Sequence, residues 1–312
     1  MLRAMYTSIT GLRNHQTMLD VVGNNIANVN TNGFKASSAS FKTLLSQTTQ
    51  GAGAPSATLG GTNNIQVGLG MTLDSISQKF TQGALQGTGV MTDLAIQGDG
   101  FFQVAAGSPA NIALGTVPIN YTRAGNFAFD STGTLVSQDG NFVLGWSDTD
   151  LTNSQLSNPA DPLSAPIPLF DLDITDNTGV IQLPPNLYSD IIIGTDGRVT
   201  GIYNDTSLPA DPRNGTRETV AQLALSRFAN PGGLTQIGNN RWSESLNSGA
   251  PVSDVAQNNG LGSLFAGNLE MSNVDLATEF TEMIKAQRGF QANSRTITTA
   301  DEILQELVNL KR

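Results

Sequence analysis

The chain has 312 residues, a formal net charge of -10, 38% apolar and 13% charged residues, 33 glycines and no cysteine. That length and apolar content allow two domains with cores of their own, while the acidic balance excludes nucleic acid and anionic membrane surfaces, which select basic patches. No apolar run approaches the roughly 20 residues of a membrane span, and the absence of cysteine excludes disulfide and thiolate chemistry.

Residues 1–30 predict an amphipathic helix, because Leu2, Met5, Ile9, Leu12, Leu19 and Ile26 recur at helical spacing. Its first turns hold Arg3, Tyr6, Thr7, Ser8 and Thr10, too polar for the core of a secretory signal. Asn24, Asn25, Asn28, Asn30, Asn32 and Gly33 then suit a helix end, since Asn and Gly tolerate left-handed backbone. Residues 31–70, rich in Ser, Thr and Gly, read as a linker.

Residues 71–145 and 190–265 predict a β body. Phe101–Val104, Phe127–Phe129, Thr134–Val136, Asn141–Leu144, Asp190–Ile193, Val199–Tyr203, Ala221–Phe228 and Asn240–Trp242 are short apolar or β-branched runs. Among them stand the turn residues Asp99-Gly100, Asp139-Gly140 and Asp196-Gly197. Between the halves, residues 146–189 carry six prolines and the acids Asp148, Asp150, Asp161, Asp171, Asp173 and Asp176 without one base. Proline disfavours helices and central strands, so this stretch reads as a small insertion or a minimal outer domain.

Residues 274–312 predict a second helix with a stripe of Leu276, Phe280, Met283, Phe290, Ile297, Leu304 and Val308, broadened by Ile284, Ile303, Leu307 and Leu310. The expected fold is therefore mixed: N- and C-terminal α-helices forming a coiled coil, with a discontinuous, mainly antiparallel β barrel or sandwich between them. An ordinary pair of core helices shows the same periodicity, so the stripes alone do not separate burial within one chain from packing between copies.

Chemistry is sparse. Gly98-Asp99-Gly100 lacks the third glycine of a dinucleotide fingerprint and runs into the strand-like Phe101-Phe102, which makes it a turn. Asp171-Leu172-Asp173 begins like a calcium loop, yet Asp176 stands where that loop needs Gly and Gln182 where it needs Glu. His15 is the only histidine, so neither a metal site nor an acid/base triad has members. The sequence points to a non-enzyme without cofactor or metal. A rival reading, a secreted protein that binds or cleaves polysaccharide, would draw on Trp146, Trp242, Tyr121, Tyr188 and Tyr203 as stacking groups.

Several segments closely resemble the bacterial flagellar rod and hook proteins. They are Gly11-Leu12, Val21 to Lys35, Ala95 to Val104, Tyr121 to Phe127, Leu269 to Leu276 and Met283 to Asn293, in the family's order. The resemblance implies terminal helices packed between subunits as an inner coiled coil, a linker touching neighbouring subunits, and a helical homopolymer. It also implies distal rod, hook cap and hook–filament junction proteins as partners, and delivery by the flagellar type III export apparatus without a cleaved signal. Within the linker, Phe41, Leu44 and Leu45 resemble the segment read by the export gate. Val22 to Asn25, Val67 to Gly70 and Leu307 to Leu310 favour the extracellular hook, with the distal rod as the alternative; the short 146–189 stretch would then be the hook's minimal outer domain.

Overall fold

The computed structural model describes residues 2–55, 60–107, 117–131, 133–147, 167–168, 188–204 and 214–310. Most of the Pro- and Asp-rich stretch, with the Asp171 to Gln182 loop, lies outside these residues. The described chain forms two compact units. One comprises residues 1–29, 35–79 and 274–312, the other residues 30–34 and 80–273.

The first unit holds both helices, α1 (Leu2–Ala27) and α2 (Leu276–Asn309). α2 starts at Asp275, whose carboxylate accepts hydrogen bonds from the Ala277 N–H (3.0 Å) and the Thr278 hydroxyl (2.8 Å). The Thr278 bond first, and the Ala277 bond with it, hold this carboxyl below its ordinary range. Glu279 adds a negative charge to the first turn, where the helix dipole favours it. α1 frays out through asparagine: the Asn28 N–H and side-chain amide both donate to the Asn24 carbonyl. No helix among the described residues is long and apolar enough to cross a membrane.

Against α1 lies an antiparallel hairpin of Ser37–Thr43 and Met71–Gln78, extended by a second pair, Ser46–Gln50 with Ile65–Gly68. Two buried asparagines of α1 fasten the first hairpin. Asn14 donates to the Met71 carbonyl (2.8 Å), and Asn25 both donates to the Ser37 carbonyl (2.8 Å) and accepts from the Ser37 N–H (3.0 Å). Each side chain thereby supplies the hydrogen bonds that an edge of hairpin backbone would otherwise lack.

The second unit is built mainly of β-strands, with one 3-10 turn at Pro231–Gly233 among its described residues, and every strand pairing in it is antiparallel. Its main sheet runs in the order Tyr188–Ile193, Arg198–Tyr203, Arg217–Leu223, Phe142–Ser147, Phe101–Ala105, Ile119–Thr122, Arg241–Ser243, Thr235–Gly238. The two end strands do not meet, so of the expected barrel or sandwich the barrel is corrected: among the described residues the sheet is open and antiparallel. Smaller pairs, Leu94–Gln97 with Ser263–Ala266 and Leu85–Gly87 with Asn268–Glu270, join the early and late parts of the chain.

Phe101–Ala105 is the centre of this unit and is buried along its whole length. Neighbouring residues of a strand point to opposite faces. Phe102 accordingly enters the main core with Leu94, Ile96, Val104, Phe127, Leu223 and Leu264, while Phe101 enters an aromatic core with Tyr121, Phe228 and Trp242. Burial, and then Glu244, raise the Tyr121 phenol above its ordinary value.

Candidate functional site

The feature of the first unit with functional content is its helix pair. Ser8 Oγ lies 2.6 Å from Thr296 Oγ1, Gly11 sits under Asn293, and His15 packs on Gly289. As one partner's number rises the other's falls, so α1 and α2 are antiparallel. A Cβ at Gly289 would meet the His15 ring at 2.5 Å, so only glycine leaves room there for the imidazole on the α2 backbone. Ala286 and Ala300 are the buried residues of α2. The pair is thus joined largely through small and polar groups.

That leaves much apolar surface outside it. Met5, Ile9, Leu12, Leu19 and Ile26 on α1, and Met283, Phe290, Ile297 and Leu304 on α2, are half-buried. Leu276, Phe280 and Val308 are exposed, and so are Ile284, Ile303, Leu307 and Leu310; Phe280 keeps 49% and Ile284 56% of their surface in solvent. The side chain of Leu2 lies outside the described residues. Large apolar residues repeating four apart along an exposed helix mark a surface suited to a protein partner.

Phe41 is half-buried in the first hairpin, opposite Leu73 and beside a bulge, whereas Leu44 and Leu45 are exposed in the connection that follows. The stacking groups required by a carbohydrate reading fare poorly. Trp242, Tyr121 and Tyr203 are core residues at 1%, 3% and 4% exposure, Trp146 is half-buried, and the side chain of Tyr188 is not described. A polar groove of about 330 Å³ in the second unit is lined by Thr31, Asn32, Thr122, Asn126, Asp139 and Arg241, among others. None of its lining residues is aromatic. Among the described residues no group of three or more His, Cys, Asp or Glu side chains is placed to hold a metal.

Sequence reasoning missed the residues that bring the helices and hairpin together. Ser8, Gly11, Asn14, Asn25, Ala286, Gly289 and Asn293 stand outside the apolar stripes; Gly11, Asn25, Ala286, Gly289 and Asn293 do fall within the segments that resemble the family, and the recurrence of small or amide side chains on one helical face is the physical signal that marks them as contacts.

Three family matches fall along the chain: flagella basal body rod protein over residues 5–35, the flagellar hook protein FlgE/F/G D1 domain over 95–201, and the flagellar basal body rod FlgEFG protein C-terminal region over 266–310. The flagellar basal-body rod protein FlgG of Bacillus subtilis is 46% identical over 313 residues, covering the whole of both chains. The chain belongs to the flagellar rod and hook protein family. Two relatives from Borreliella burgdorferi, also matched end to end, are the rod protein FlgG, 35% identical over 314 residues, and the hook protein FlgE, 32% identical over 450. As a rod and hook protein the chain is a structural component of the flagellum, and its matched segments include both helices and the central strands of the β unit.

Proposed function

We propose that the chain is a distal-rod subunit of the flagellar basal body, which polymerises with copies of itself into a tube that transmits motor torque. Sequence motifs alone favour the hook; the observation that carries the rod reading is length. The chain aligns with two rod proteins over 313 and 314 positions, whereas alignment with the hook protein of the same Borreliella species stretches to 450 positions. The additional positions are hook sequence for which this chain has no counterpart. The exposed apolar residues of α2 supply a contact surface for neighbouring copies, and a contact that repeats head to tail without closing builds a helical array. Rod subunits below and hook subunits above are the further partners of this reading, and the basal body is its location.

Complementation separates the two members of the family. Supplied to a flagellated bacterium lacking its own distal rod subunit, the protein should restore rod and hook growth, seen by electron microscopy of isolated basal bodies; in a strain lacking the hook subunit it should not build hooks. Hooks built from this chain in the second strain would overturn the rod assignment.

The export reading is carried by Phe41 and Leu45, the latter 86% exposed. Phe41→Ala with Leu45→Ala should lower the secreted amount at unchanged melting temperature. A melting loss large enough to account for poor secretion would leave Phe41 with a packing role only.

A further inference from the structure

Arg123 and Glu270 form an ion pair at 3.3 Å with side-chain exposures of 4% and 0%. Burial pulls the Arg123 guanidinium below its ordinary value, and the neighbouring Glu270 works against that. Burying two charges is a poor route to stability, because desolvation offsets most of the attraction, and the Arg123 Nε has no partner at all. The better-attested use of such a pair is to select one arrangement of the chain.

What this pair arranges is visible in its remaining bonds. Glu270 Oε1 accepts from the Gly83 N–H (2.9 Å), and the Glu270 backbone carbonyl accepts from the Gly33 N–H (2.8 Å). Arg123 donates to the Gly98 carbonyl (2.8 Å) and sits over the Phe101 ring at 5.4 Å, which fixes it to the central strand. Gly33 has φ +70, and a Cβ there would lie 2.6 Å from the Ala124 nitrogen, so the chain at 33 is held against the residue after Arg123. Asn273 closes the group by donating to the Thr81 carbonyl (3.1 Å) and hydroxyl (2.9 Å).

Residues 30–34, 80–83 and 270–273 are the segments by which the chain enters and leaves the β unit, whose limits fall at 30, 34, 80 and 273. We propose that the Arg123–Glu270 pair is an ionic clasp that gathers all of these exits onto the central strand, so that force arriving along the chain from outside this unit is shared among them rather than peeling one strand at a time. Contact with several exits needs a charged pair: its oxygens and nitrogens reach the backbone groups of residues 83 and 98 while holding each other, which an apolar pair of the same size does not do.

Hydrogen exchange of the full-length protein tests the clasp. Glu270→Gln keeps the shape and an acceptor oxygen but removes the charge. The Gly33 and Gly83 amides should then exchange about tenfold faster or more, while the Val104 amide keeps its protection. The double variant Arg123→Met with Glu270→Leu replaces the pair by apolar groups; its fold should persist, again with fast exchange at Gly33 and Gly83 alone. Undiminished protection of those two amides in either variant would overturn the proposal. So would a loss that Val104 shares in equal measure, which would reduce the pair to general stability.

Discussion

Phe280→Asp combined with Ile284→Asp should abolish assembly while leaving the monomer as stable as before. Both side chains are about half exposed in the single chain, and surface substitutions of that kind usually change folding stability by less than about 0.5 kcal/mol. In the proposed tube the same positions face neighbouring copies, where an unpaired buried charge costs several kcal/mol. A loss of about 3 kcal/mol per subunit raises the concentration needed for polymerisation by roughly two orders of magnitude. Sedimentation and electron microscopy of the purified variant, beside its thermal unfolding curve, provide the comparison. Normal polymers would show that these residues face solvent in the assembly as well. Phe290→Asp makes an instructive contrast: this ring is already half-buried in the single chain, so the variant should lose monomer stability and assembly together.

Phe102→Ala should cost about 3 to 5 kcal/mol, the range for deleting a fully buried ring. Phe102 has no exposed surface, lies in the main core of the β unit and meets Phe127 edge-on with ring centres 5.1 Å apart. The ring pair adds about 0.5 to 1.5 kcal/mol beyond its area. Urea unfolding followed by tryptophan fluorescence suits this measurement, because Trp242 is buried in the same unit. Ile237→Ala, at 46% exposure on an end strand, serves as the control and should shift the midpoint little. A Phe102 effect below about 1 kcal/mol would mean that the core collapses around the lost ring, contrary to the cavity cost expected at so central a strand.

The sequence makes the helices and the central strands legible for the same reason: each has a period that solvent imposes, near 3.6 or 2, and glycine or asparagine to end it. It is faint on the hairpin strands at residues 37–50, where Ser, Thr and Gln dominate and Ser46–Gln50 is exposed at every position. Their partner strands are plainer, since Ile65, Val67, Leu69, Met71 and Leu73 alternate at the strand period, a signal that the linker reading of residues 31–70 passes over. The stripe on α2 shows which residues are apolar but not what covers them, since the half-buried Phe290 and the exposed Phe280 obey one periodicity. Whether the sheet closes is also beyond local pattern. That outcome depends on pairings such as Arg217–Leu223 with Phe142–Ser147, formed across some 70 residues, and no turn signal specifies them. The aromatic residues were similarly ambiguous: Trp242 suits a binding platform or a core equally well until its neighbours Phe101 and Phe80 are seen.

The two asparagines that fasten the hairpin to α1 grip only main-chain groups, the carbonyl of Met71 and both backbone groups of Ser37. Any residue offers a carbonyl, and any residue except proline offers the N–H as well. The exposed side chains of the hairpin, such as Ser40, Lys42, Asp74 and Ile76, are therefore released from the work of attachment. They can drift in size, charge and polarity to match whatever surface a different assembly presents, while the helix keeps hold of the same backbone. A fixed grip with an interchangeable outer face lets one subunit design be refitted to new neighbours by surface change alone.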